Sequence, residues 1–252
     1  MKFTLNKKIF NILGLVAFVF LWQLLSLHVG ENSFIFPSPL VTFKKAIEIL
    51  KDAYVYKCLA QTMQRMFLGF IGAFVLALLF GVVAGNNEKI EELFKPTMTV
   101  LKSVPTASLV YLFLVLVGSR QTPLFIVILI SFPILYESVV GGVKATPNIL
   151  LEACDIDGTS SIQKILYIRL PLSIPYIIVG IVSTFSLSLK IEIMAEVITG
   201  YTRLGLGSAI LAAQKSDPTD LTTVFGYSII AILIMLVFDY VLAYIKKKYT
   251  DF

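Results

Sequence analysis

One histidine, two cysteines and a single tryptophan occur in 252 residues. Charged residues are equally scarce, at 15% against a usual ~25%. Each shortage excludes something. Without Cys-x-x-Cys, and with His28 alone, a zinc centre would have to be built mostly from carboxylates. No histidine lies beside a serine or cysteine in a catalytic pattern; His28 ends an apolar run and reads as an interfacial side chain. Two cysteines do not make a disulfide scaffold. Gly-Lys never occurs, so no phosphate-binding P-loop is present and any ATP-driven work needs a second chain to hydrolyse the nucleotide. The Lys and Arg residues form short clusters between apolar runs rather than one basic face, which argues against a nucleic-acid partner.

What is abundant is apolar surface. The 57% of AVILMFWYC residues exceeds what a soluble domain of this size buries, and the chain reads as an all-α integral membrane protein in contact with lipid. Six apolar runs have about the length a bilayer needs, roughly 20 residues each. The first, Ile9 to Val29, follows Lys2, Lys7 and Lys8 and continues into Gly30 with no Ala-x-Ala site, so it reads as an uncleaved membrane helix. Phe36-Pro37-Ser38-Pro39 then breaks helix twice. From Val41 to Tyr56 apolar and charged residues alternate with helical period, predicting an amphipathic helix on the interface.

The later spans are expected at Thr62–Val83, Pro96–Val117, Thr122–Gly142 (bent at Pro133), Leu172 to about Ile198, and Leu221–Ile245. The expected division is 1–59 (first span and interfacial helix), 60–245 (transmembrane core) and 246–252 (basic tail). Six spans place both termini on one side. With the termini in the cytoplasm, twelve of the 21 Lys/Arg fall inside, a modest bias in the sense of the positive-inside rule. This topology puts Cys58 outside and Cys154 inside.

Two helical stripes stand out. Gly69, Ala73, Ala77, Gly81 and Gly85 recur at steps of four and predict a groove for close helix packing. Gly180, Thr184, Ser188, Glu192 and Glu196 also recur at steps of four. They are read either as an interfacial helix end bonding to itself or, from Thr184 onward, as the lining of a water-filled path. Glu137 and Asp239, each with a lysine seven residues on (Lys144, Lys246), are expected to form ion pairs along their helices, with a proton relay as the alternative.

Between Lys144 and Pro171 lies a capped helix-turn-helix. Thr146 is a candidate N-cap before Pro147, residues 148–155 can form a helix, and Gly158 permits a left-handed turn. Ser160-x-x-Gln163 is a capping box opening a second helix, with Pro171 and Pro175 at the entry to the next span. A capped knob exposed between two spans reads as a docking element.

The knob also carries a recognisable pattern. Glu152-Ala153-Cys154, three residues, Gly158, nine residues, then Ile168-Arg169-Leu170-Pro171 resembles the EAA loop of ABC-importer permease subunits. Cys154 stands where that pattern has a second alanine. Phe36-Pro37-Ser38-Pro39, Arg65 with Gly69-Phe70, Ser103-Val104-Pro105 leading to Gly118, and Glu196 followed by Gly205-Leu206-Gly207 resemble the nitrate/sulfonate/taurine branch.

The resemblance implies a type I importer permease fold with six transmembrane helices in the cytoplasmic membrane. It implies a dimer with a second permease copy, two ATP-binding-cassette ATPase subunits and an extracytoplasmic solute-binding protein. Glu152, Ala153, Cys154, Gly158, Ile168, Leu170 and Pro171 would form the ATPase-coupling loop. No catalytic residue, metal or cofactor is expected in this chain; ATP and Mg would belong to the partner. The solute class implied is nitrate, sulfonate or taurine, with a thiamine precursor, riboflavin or another small nutrient as the alternative. A stand-alone secondary transporter is disfavoured because no repeat or mid-membrane charged break is visible.

Overall fold

A computed structural model describes residues 2–29, 35–200 and 204–250, with side chains described from residue 9 to residue 247. Every regular element among the described residues is helical. In chain order they are α1 (Lys2–Val29), α2 (Pro39–Leu50), α3 (Ala53–Asn86), α4 (Glu88–Ser103), α5 (Thr106–Val117), α6 (Thr122–Lys144), α7 (Asn148–Ile156), α8 (Ser161–Lys164), a π-helical turn (Ile165–Arg169), α9 (Leu170–Thr199), α10 (Leu206–Ser216) and α11 (Thr222–Thr250). Among the described residues five helical stretches are long and apolar enough to cross a membrane: Ile9–Val29, Ala53–Asn86, Thr122–Lys144, Ser161–Thr199 and Thr222–Lys247.

The expected third span, Pro96–Val117, is not one helix. α4 and α5 meet at 98°. Pro105 has no N–H to continue the ladder and forces its predecessor out of helical geometry; Val104 is extended, at φ −72° and ψ 129°. The 12 residues of α5 reach only about 18 Å, well short of a ~30 Å hydrocarbon core.

Packing shows how this bent pair is used. A Cβ built on Gly69 would lie 2.9 Å from Val127, on Gly81 2.8 Å from Val139, and on Gly85 2.7 Å from Val143. Contacts that advance together along both chains mean that α3 and α6 run side by side in the same direction. The segment between them must therefore return the chain. Its contacts with α6 run the opposite way: Glu91 meets Lys144 at 2.8 Å, Lys102 meets Glu137, and Phe113 stacks on Phe125 with centroids 6.1 Å apart. α4 and α5 together make the third of six crossings, broken in the middle.

The chain separates into two compact units. The larger comprises Leu59–Ser208 and Ile234–Phe252. In it α9 lies antiparallel to α6, with Ser131 and Ser188 hydroxyls 2.8 Å apart and the Gly142 position closing on Ser173. Ala73 and Ala77 are fully buried between the groove glycines. Leu109, Val110, Ile126, Val127, Ile191 and Ala195 form one apolar cluster, and Val139, Val143 and Ile177 another. α6 continues unbroken through Pro133.

The smaller unit comprises Met1–Cys58 and Ala209–Leu233. Trp22 Nε1 donates to the Pro37 carbonyl at 3.1 Å and Ser26 to that of Phe36 at 3.1 Å, while Phe36 meets Phe225 edge-on at 5.6 Å. The expected amphipathic helix 41–56 is two elements. Ser38 caps α2 through the Val41 N–H; α2 ends at Leu50, and Asp52 accepts from the Tyr54 N–H at 2.9 Å to start α3, a local bond that competes with continuing the helix. α2 buries Thr42, Ala46 and Ile49 and exposes Leu40, Phe43 and Ile47.

Candidate functional site

The knob between α6 and α9 is built from local capping. α7 starts one residue later than Thr146 as cap would place it: Pro147 is the N-cap and extended at ψ 132°. Thr146 is buried with an unpartnered hydroxyl. At the other end the Gly158 N–H bonds to the Asp155 carbonyl at 3.2 Å and the Thr159 N–H to that of Cys154 at 2.9 Å. That is a Schellman closure, and it needs the left-handed residue Gly158 supplies at φ 69°. Ser160 and Gln163 then form both bonds of the capping box, the Ser160 N–H donating to Gln163 Oε1 at 3.0 Å.

The second helix is not a separate short piece. α8 runs through the π turn into α9 as one helix, Ser161–Thr199. The Leu170 N–H bonds to the Ile165 carbonyl, and this widened turn takes up Pro171. An Asp155–Lys164 ion pair ties α7 to α8. Arg169 donates to the Gly85 carbonyl at 3.4 Å, holding the base of the knob against the end of α3.

No residue of α7 is buried. Ile149, Glu152, Ala153 and Ile156 recur at i, i+3, i+4 and i+7, so they share one face, and Ile149 and Ile156 are 73% and 87% exposed. Cys154 lies on the other side, half-buried, as are Ile168 and Leu170, whereas Glu152, Ala153 and Pro171 are exposed. Sequence reasoning singled out Glu152 and Ala153 but missed the two isoleucines flanking them; the helical spacing was the available signal.

The second constellation lies at the far end of α9. Glu196 is fully buried. Its Oε1 accepts from Arg65 at 2.9 Å, its Oε2 from the Gly207 N–H at 2.9 Å, and the Thr62 hydroxyl lies 3.0 and 2.9 Å from the two oxygens. Thr62 accepts in turn from the Leu206 N–H at 2.8 Å, and Arg65 also donates to the Leu204 carbonyl at 3.1 Å. Gly205 must lack a side chain, because a Cβ there would sit 2.5 Å from Glu196 Oε1. A buried ion pair is tolerable only when its remaining hydrogen-bonding capacity is met, and here α3, α9 and the start of α10 meet it together.

The rest of the stripe also faces the protein interior. Thr184, Ser188 and Glu192 are fully buried; Ser188 bonds to Ser131 on α6 and back to the Thr184 carbonyl, while Ile178 and Val182, off the stripe, are more exposed. The path-lining alternative therefore has no open surface on this stripe within one chain. Among the described residues neither Glu192 oxygen has a hydrogen-bond partner.

The expected Glu137–Lys144 pairing gives way to contacts with α4: Glu137 binds Lys102 and Lys144 binds Glu91. Seven residues separate a pair by about 10 Å along the helix axis, farther than a neighbouring helix. Asp239 accepts from the Ser186 hydroxyl on α9. Cys58 and Cys154 are free thiols.

Membrane-length helices with a capped knob exposed between two of them define the class: a multi-pass membrane protein. The fold agrees with that of an amino acid ABC transporter with histidines, at TM-score 0.67 and 17% identity over 82% of this chain and 98% of that one. Residues 73–251 match the binding-protein-dependent transport system inner membrane component family, to which this chain belongs. A protein of Methanocaldococcus jannaschii named as an ABC transporter permease is 27% identical over 92% of this chain and 87% of its own length. The taurine transport system permease protein of Escherichia coli is 24% identical over 85% of this chain and 79% of its own.

Proposed function

We propose that this permease carries a small solute of the taurine, sulfonate or nitrate type into the cell. Two copies would form the path, two ATP-binding-cassette ATPase subunits would dock on the knobs, and an extracytoplasmic binding protein would deliver the solute. ATP and Mg are held by the ATPase. Both termini and the knob lie in the cytoplasm.

The observation that carries this reading is the exposed face of α7. Large apolar side chains on a surface helix are costly unless a partner covers them, and Ile149 and Ile156 bracket a shallow strip at Glu152 and Ala153. A helix of this kind fits a groove, with Ala153 allowing close approach and Glu152 reaching a donor on its rim. Similarity to the taurine permease supports the solute class; a thiamine precursor or riboflavin remains the alternative.

Copurification tests the partner: a P-loop ATPase should follow the wild-type permease and be lost with Ala153→Trp. Uptake tests the solute: radiolabelled taurine import should require ATP and be competed by alkanesulfonates. Import competed by riboflavin or a thiamine precursor instead would reassign the solute and keep the permease.

A further inference from the structure

Arg65 has two carboxylates within electrostatic reach and is bound to one. Glu196 takes its guanidinium at 2.9 Å. Glu192 lies one helical turn earlier on the same face of α9, fully buried, with both oxygens unpartnered. The charged groups acting on it are Arg65 from α3 and Glu196 from its own helix. A buried carboxylate with no hydrogen bond is a costly feature, and nothing in this conformation uses it. Leucine would fill much the same space without that cost.

We propose that Glu192 is the second seat of the Arg65 guanidinium, occupied in another state of the transport cycle. The inference rests on the permease reading above. One turn of helix is about 5.4 Å, within the swing of an arginine side chain about its own stem. Sliding α3 along α6 to bring Arg65 there would be obstructed, because Gly69, Gly81 and Gly85 sit against valines of α6 with no space for a Cβ. Interfaces that exchange one partner for another a turn away are a known form of two-state switch. In the second seat Arg65 would leave the Leu204 carbonyl, while Thr62 and the Gly207 N–H stay on Glu196. The chain entering α10 would lose one of its two ties to α3, keeping the bond from the Leu206 N–H to Thr62. Glu192 is thus a positioning residue, acting through Arg65.

The test uses the full chain in complex with its ATPase in membranes, carrying Arg65→Lys so that the seat holds an amine. Dicyclohexylcarbodiimide condenses that amine with whichever carboxyl it touches, and peptide mass spectrometry locates the bond. The resting complex should link to Glu196. Trapping with ATP and vanadate should raise the share linked to Glu192 by about tenfold, the scale of a real shift between two states. Linkage to Glu196 alone in both states, with ATP hydrolysis intact, overturns the exchange and leaves the permease reading in place; a chain that recruits no ATPase removes both.

A second measurement does not depend on the lysine variant. Glu192→Gln loses no hydrogen bond, so its melting temperature should equal or exceed that of wild type while coupled ATP hydrolysis falls. In an Arg65→Gln background the same substitution should have no further effect, because residues acting as one unit are non-additive. Equal effects in both backgrounds, or wild-type hydrolysis by Glu192→Gln, would refute the assignment.

Discussion

The Arg65–Glu196 pair can be dismantled one group at a time, and the structure says what each step should cost. Replacing Arg65 by Met leaves Glu196 buried with Thr62 and the Gly207 N–H but no counter-charge. Removing one partner of a buried pair costs about 3–5 kcal/mol. For a chain of this length each kcal/mol lowers the melting temperature by roughly 2–4 °C, so the expected loss is about 6–20 °C. Glu196→Gln keeps one carbonyl oxygen but gives up the charge. Whichever way its amide turns, the oxygen can serve Arg65 or the Gly207 N–H, and the amine faces the other donor, leaving a group unsatisfied at about 1–3 kcal/mol. Arg65→Met with Glu196→Met removes both charges together and should be less damaging than the sum of the singles by at least ~1 kcal/mol. Thermal unfolding of the purified chain in one detergent, followed by loss of monodisperse protein, reads wild type, Glu196→Gln, the two methionine singles and their double. Additive losses, or an Arg65→Met drop under about 2 °C, would show that the pair is not a closed unit.

Gly205→Ala should act on the same cluster from outside: its Cβ enters the carboxylate at 2.5 Å, and an overpacking cost of about 1–3 kcal/mol should appear in the same unfolding assay, larger than for Gly141→Ala, where nothing lies within 4 Å. Gly158→Asp costs roughly 1 kcal/mol or more in the left-handed turn and should reduce ATPase copurification without lowering membrane insertion; Gly158→Asn should recover part of it, since Asn tolerates that conformation. Topology is testable with a membrane-impermeant thiol reagent on intact cells, in a background free of Cys58 and Cys154. Lys51→Cys should label and Asp157→Cys should not, and the reverse would invert the orientation. Native Cys58 cannot report, being fully buried. In the turn before α11, the Thr219 hydroxyl and the Thr219 and Asp220 N–H groups hold the Asp217 carboxyl below the usual carboxylate range. A depressed carboxyl supports its turn above the unfolded value and loses that support as pH falls through its own, so amide-exchange protection of Thr219 and Asp220 should persist in mild acid and vanish only in strong acid; protection lost near pH 5 would contradict it.

What was readable in the sequence depended on how far apart the interacting residues are. The knob was legible because each bond in it is local: Ser160 to Gln163, Gly158 to Asp155, Thr159 to Cys154. Its start was misplaced by one residue because Thr146 and Pro147 both look like caps, and only the backbone decides between them. The period of the α9 stripe was visible, but not what it faces, since periodicity identifies a side of a helix and not its neighbour. The Glu137–Lys144 pairing gave way for the same reason: Lys102 is 35 residues from Glu137, and Glu91 is 53 from Lys144. Composition alone makes Pro96–Val117 one apolar span, whereas the proline after an extended Val104 makes an elbow.

Both constellations lie on one element. Ser161 opens a helix that continues to Thr199, 39 residues without a break and therefore about 58 Å long. Its first turn is clamped to α7 through Asp155 and Lys164, and its last carries Glu196. A push on α7 would reach that end along a single hydrogen-bonded rod, with only the π turn at Ile165–Arg169 able to yield. Arg169, at the end of that turn, grips the C-terminal end of α3, whose other half holds Arg65 and Thr62. Any tilt of α9 against α3 about that fixed base is therefore largest at the opposite end, where the guanidinium, the two carboxylates and the entry to α10 meet. Coupling by this route needs no chain of small rearrangements through the core; it needs a stiff lever and a bond at its far end that can be exchanged.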